Sequence, residues 1–217
     1  MHISDGILSA PVLTAGFAGT AVLAAVTMRN MDMEEVPKIS VITSVFFISS
    51  LIHVPVGPTS VHLILNGLVG VVLGLRAFPA ILLGIILQTL LFGHGGITVI
   101  GVNTLMMGGG GLMAYFVWQL RHRVRVKKPE IVFGALAGAT GVFCSGVILA
   151  LALVTTGEEF FATAGYALAA HVPIMLIEGA VTAACANFLM KVKPDILAGQ
   201  RRNQPSTVGV DASVDSK

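Results

Sequence analysis

Charge is what this chain of 217 residues has least of: Lys, Arg, Asp and Glu together make up 11%, against about 25% in an ordinary globular domain. That shortage excludes a soluble domain with a fully solvated surface. The charges are also unevenly spread, with none between residues 39 and 75 and none between 77 and 120. Uncharged apolar runs longer than about 18 residues are a membrane-span signal. A net charge of +2, scattered along the chain, gives no nucleic-acid surface. The two cysteines, Cys144 and Cys185, stand alone in apolar runs, so they form no CxxC unit and read as small hydrophobes. A glycine-rich loop ending in lysine is missing too, so the chain carries no nucleotide site and any energy source lies elsewhere.

Hydrophobic residues are abundant, at 55%, and they fall into seven segments: 8–28, 40–55, 60–75, 77–92, 99–120, 131–156 and 162–190. The expected fold is an all-α membrane protein, a bundle of about seven transmembrane helices. A polytopic domain over 1–198 is followed by a polar tail, 199–217, that reads as disordered. The first apolar run reaches Met28 before any basic residue appears, which is too long and too neutral at its start for a signal peptide. It reads as a retained span. Segment two ends at Val54-Pro55-Val56-Gly57-Pro58, where a helix cannot continue. Segment five follows His94-Gly95-Gly96, read as a flexible, uncharged loop.

Basic residues set the expected orientation. Arg121, Arg123, Arg125, Lys127 and Lys128 form one cluster, and Lys191, Lys193, Arg201 and Arg202 another. Placing both in the cytoplasm, with seven crossings, puts the N-terminus outside, Arg29, Lys38 and Arg76 inside, and Glu158 and Glu159 outside.

Five of the six histidines, His2, His53, His62, His94 and His171, then gather at the outer level, and only His122 lies with the basic inner loop. Ionisable groups at membrane depth are costly and tend to mark a ligand or ion path. Each one singly reads more readily as a hydrogen-bonded interfacial residue than as a ligand, and His94 as a turn residue; their joint occurrence at one level favours a metal path, since imidazole is the commonest metal ligand. His171 and Glu178 are seven apart and share one helix face; as a buried pair they brace the helix. Met106, Met107 and Met113 read as packing.

The N-terminal stretch Met1-His2-Ile3-Ser4-Asp5-Gly6 is the sharpest feature, a metal-chelating segment over 1–7. His2 is too large to allow removal of Met1, whose amine has a pKa near 8. The amine, the His2 backbone nitrogen and the His2 imidazole form fused chelate rings. Three nitrogens in one plane suit Ni(II) or Cu(II), with one further imidazole to complete the square. A start of Met-His is also open to a chance reading.

Four blocks resemble a known family: MHISDGILS at the start, HVPVGPTSVH (53–62), QTLLFGHGGITVIGVNTLMMG (88–108) and HVPIMLIEGAVTA (171–183). They look like the CbiM/NikM family, the nickel/cobalt substrate-binding S components of energy-coupling-factor transporters, over residues 1–195. The resemblance implies capture of Ni(II), or alternatively Co(II) for cobalamin synthesis, at the outer face of a prokaryotic cell membrane. It implies delivery inward with a transmembrane T component, two cytoplasmic ATPases and a small accessory membrane subunit, no organic cofactor, and no enzymatic activity in this chain. Carried over residue by residue, the metal ligands are Met1, His2 and His62. Val61 stands where the family usually has Gly, and His53 where relatives often carry Asn. His53 is a hydrogen-bond partner or a ligand on the way in, with His94, Asn103, His171 and Glu178 as further supporting candidates. The HISDG start leans towards nickel.

Such a site excludes Mg and Ca, which demand oxygen ligands, and tetrahedral Zn. Its affinity falls in acid, with half-loss between about pH 6 and 7.5. Ala15 with Gly19 and Gly16 with Thr20 have small-xxx-small spacing, read either as packing within the bundle or as a docking face for the T component. Gly108 to Gly111 reads as close packing or a hinge. An intramembrane metal hydrolase would need a base such as that of HExxH, which is missing. A proton-coupled secondary transporter would show repeats and intramembrane acids, and only Glu178 is available.

Overall fold

The computed structural model describes residues 2–51, 53–56 and 59–199, with the side chains of 53–56 and 59–62 left aside. Among the described residues the chain forms helices α1 (Ala10–Met28) and α2 (Val36–Ser49), strands β1 (His53–Val56) and β2 (Thr59–His62), and helices α3 (Asn66–Leu73), α4 (Ala77–Phe92), α5 (Ile100–Gln119), α6 (Pro129–Val154) and α7 (Phe161–Val192). Each of the seven apolar segments overlaps one of these helices.

Among the described residues, five helical stretches are long and apolar enough to cross a membrane: 10–28, 66–92, 100–122, 129–154 and 158–192. Helix α2 has 14 residues and α3 has eight, or about 21 and 12 Å at 1.5 Å per residue. Neither alone reaches across a hydrocarbon core of about 30 Å. The reason lies between them. Residues expected to extend segments two and three pair instead as an antiparallel hairpin, His53 opposite His62 and Pro55 opposite Ser60. Pro55 has no N–H to give a helix.

After the hairpin, Leu65 takes a left-handed conformation, φ 56°, and α3 begins. It runs along the second half of α5, Gly70 against Gly111 and Gly74 against Tyr115. At Gly74, φ 61°, the helix breaks, and α4 passes back along α5 with Phe78 against Gly108.

Helix α5 is the hub, packing on α1, α3, α4 and α6. Its glycines serve close approach. Gly108 faces Phe78, Gly110 faces the Gly141 carbonyl and Ser145, and Gly111 faces Ile81. Asn66 ties three helices there, its Nδ2 donating to Ser145 Oγ at 2.8 Å, Gly141 O at 3.2 Å and Met107 O at 3.3 Å. Gly134 and Gly138 of α6 lie on Ala183, Thr182 and the Glu178 carbonyl of α7. With lipid tails as apolar as Leu, such small-residue crossings are how membrane helices gain contact. Outward positions such as Val22, Val26, Leu90, Leu176 and Phe188 are exposed.

The two ends of the bundle differ. At one, the Arg76 guanidinium gathers the carbonyls of Thr27, Arg29 (3.1 Å) and Asn30 (2.7 Å) and pairs with Glu35 at 2.9 Å. Ala198 closes the same end, bonding Val71 O, Trp118 and Arg121. At the other end lie residues 2–9 and 88–98.

Candidate metal site at the N-terminal segment

Residues 2–9 are not a loose leader. Ile3 is 3% exposed, and its backbone is held by a reciprocal pair: Ile3 N donates to Asn103 Oδ1 at 3.0 Å and Asn103 Nδ2 donates to Ile3 O at 3.1 Å. Asp5 N donates to Gly95 O at 2.9 Å. In return the Asp5 carboxylate accepts from Thr98 N at 3.1 Å and Thr98 Oγ1 at 2.5 Å. Gly6 turns the chain at φ 81°, and Leu8 re-enters the core. Hence the HISDG start is a folded unit: an imidazole, an apolar anchor, a capping carboxylate and a turn.

The loop after α4 is shaped to hold that unit. Gly93, φ 65°, ends α4 in the left-handed manner, and His94 N bonds back to Gln88 O at 3.3 Å. A side chain on Gly96, φ 136°, would collide with the Asp5 carboxylate. The segment expected to be flexible is therefore bonded on both sides, to α4 through His94 and to the N-terminal segment through Gly95.

His2 is the centre of this arrangement. Its Nε2–H donates to Gln88 Oε1 at 2.8 Å, and its ring lies 5.5 Å from that of His94. His94 in turn stacks 5.8 Å from Phe92. Burial pushes the His2 imidazole down from the ordinary 6.5 to about 4, with the Gln88 bond opposing and the His94 ring assisting. That lowering favours the neutral ring, the form a metal requires.

Other expected residues fall as follows. Met1 lies outside the described residues, and His53 and His62 are described only by their paired backbones. Ile64 N and Leu65 N, just beyond His62, donate to Glu178 Oε1 at 2.5 and 2.7 Å. Glu178 is 0% exposed, and its Oε2 has no hydrogen-bond partner among the described residues. His171 Nδ1 donates to Ala167 O at 2.5 Å within its own helix. Among the described residues, no three His, Cys, Asp or Glu side chains come together. On α1, Gly16 packs on Val102, Gly19 on Leu105, and Thr20 Oγ1 donates to Gly101 O at 2.7 Å, whereas Ala15 is exposed. Gln88, Asp5 and Thr98 were not singled out by sequence reasoning. Their only signal was position: Gln88 opens the third quoted block and Asp5 lies in the first.

An apolar helical bundle with a polar, histidine-bearing end defines a multi-pass membrane protein. Residues 2–196 match the family model described as "Cobalt uptake substrate-specific transmembrane region", and the chain belongs to that family of transport components, which are not enzymes. It is 32% identical over 199 residues to a putative metal transport protein of Haemophilus influenzae, covering 91% of this chain and 97% of that one. It is 29% identical to the fused nickel transport protein NikMN of Rhodobacter capsulatus, covering 93% of this chain and 65% of that one. A crystal structure of a transition metal transporter shares the fold, with a TM-score of 0.74 at 22% identity, over 88% of this chain and 93% of that one.

Proposed function

We propose that this chain is the substrate-binding component of an energy-coupling-factor uptake transporter and that it captures Ni(II) through its N-terminal segment. The observation that carries the reading is the half-buried His2, held by Gln88 on a segment pinned by Asn103. Fixing residues 2 and 3 also fixes where the His2 backbone nitrogen lies, one residue from the N-terminal amine. Those two nitrogens, the imidazole and His62 make a square-planar set suited to Ni(II). Cobalt is the second reading, favoured by the family's own description.

In this reading the His2 end faces outside and the Arg76–Ala198 end faces the cytoplasm, following the basic residues in a cell membrane of a prokaryote. Crossings of α1, the α2-to-α4 region and α5 to α7 bring the C-terminus inside. A T component and two ATPases, with a small accessory subunit, then drive delivery inward, and the exposed Ala15 face of α1 is where the T component docks.

The test is nickel and cobalt binding by the purified protein, native against a variant with one Gly inserted before His2. The insertion keeps every side chain and moves the amine off its chelate ring. Binding is expected to collapse, and the ion held more tightly by the native protein names the substrate. Unchanged binding overturns the reading.

A further inference from the structure

Gln88 is a polar side chain in the last turns of an otherwise apolar helix, and it is 0% exposed. Among the described residues its Nε2 has no hydrogen-bond partner, so within them the amide has one end unsatisfied, which is costly in an apolar setting. The satisfied end is the one that meets His2. An amide oxygen only accepts. The ring nitrogen facing it, Nε2, therefore carries the proton, and in a neutral imidazole the other nitrogen, Nδ1, is then unprotonated.

Which nitrogen is unprotonated decides the chemistry of a chelate. Nδ1 lies on the side of the ring next to the residue's own main chain. Together with the His2 backbone nitrogen it closes a six-membered ring on a metal, adjoining the five-membered ring made with the preceding amine. Nε2 points away and cannot close that ring. We infer that Gln88 is the positioning residue of the N-terminal site: by accepting the Nε2 proton at 2.8 Å it fixes the His2 tautomer and turns Nδ1 towards the backbone nitrogen. The inference rests on the chelate reading above and adds to it the residue that prepares the chelate before the ion arrives. The same residue sets the neighbouring ring, because its carbonyl accepts His94 N at 3.3 Å while Thr89 Oγ1 donates to His94 O at 3.0 Å. One turn of α4 thus places both imidazoles.

The experiment compares native full-length protein with Gln88→Leu and Gln88→Glu in lipid nanodiscs. Leu removes the acceptor at similar volume, and Glu restores an acceptor. Metal-free protein labelled with nitrogen-15 histidine reports the tautomer of His2, assigned by its loss in His2→Ala. Nickel affinity and the visible spectrum of the bound ion are read on the same samples. Native His2 is expected to show a protonated Nε2 and an unprotonated Nδ1. Gln88→Leu should give mixed tautomers and about tenfold to a hundredfold weaker nickel binding, the usual effect of losing an outer-shell partner. Gln88→Glu should recover the native tautomer and most of the affinity. A protonated Nδ1 in the native protein overturns the assignment, as does nickel affinity unchanged in Gln88→Leu, or a Gln88→Glu variant as weak as Gln88→Leu. Failure of the chelate itself reads out separately, as unchanged binding in the variant with Gly inserted before His2.

Discussion

At the scale of single residues, the site depends on groups that bond main chain rather than substrate. Asn103 meets both the N–H and the carbonyl of Ile3, so Asn103→Ala leaves two buried backbone groups unpaired, at about 1–3 kcal/mol each. Weaker nickel binding with unchanged helical content, measured by calorimetry and circular dichroism, is the expected outcome. His2 sets a pH dependence. Its folded value, about 4, lies below the ordinary 6.5, so its docking stabilises fully above pH 6.5 and loses that contribution as pH falls through about 4. Protection factors of the Ile3 and Asp5 amides, corrected for the intrinsic pH dependence of exchange, should fall across that window in native protein and show no such step in His2→Gln. If the proposed chelate holds the ion, proton competition for it between about pH 6 and 7.5 falls to the other nitrogens, among them the amine, with a pKa near 8.

Element-scale effects separate packing from docking. Gly16 lies against Val102 and Gly101 against Phe17, so Gly16→Leu forces α1 away from α5 and is expected to lower both thermal stability and metal binding. Ala15 is exposed one residue away; Ala15→Leu should spare both. If the T component docks there, nickel uptake by cells carrying the whole transporter should fall in Ala15→Leu while its stability and metal binding stay native. Arg76 gathers three carbonyls beyond its ion pair with Glu35. Hydrogen bonds to a charged group are worth about 1.5–3 kcal/mol, whereas a half-exposed ion pair gives at most about 1 kcal/mol. Arg76→Ala should therefore lower the unfolding temperature clearly, and Glu35→Ala only slightly.

For the whole molecule, Glu178 couples distant parts. From α7 it accepts Ile64 N and Leu65 N, the backbone that follows the β1–β2 hairpin. Glu178→Ala leaves those N–H groups buried and unpaired and should cost about 1–3 kcal/mol per group; Glu178→Gln, which keeps an acceptor, should cost less. If the hairpin carries the fourth ligand, nickel affinity will follow the same order. The seven apolar segments could be read from the chain because lipid leaves a spanning backbone one way to satisfy itself, and long uncharged runs record that. Their lengths could not. Pro55 showed where α2 had to stop, but the pairing of His53 with His62 involves residues that a hydropathy window treats as span. His2 and Asn103 were legible because they sit in ordered motifs. Gln88 was not, since one glutamine in an apolar helix has no period or spacing to mark it. It gains a role only because the end of α4 meets residue 2, 86 positions away. The sequence by itself determined the solvent this protein lives in, its helical class and the residue types at its mouth, since those follow from local composition. Tertiary structure alone decided which side chain holds His2, which small residues of α1 are already spent on α5, and which carboxylate anchors the hairpin, because each of these is a contact between segments that the chain order keeps apart.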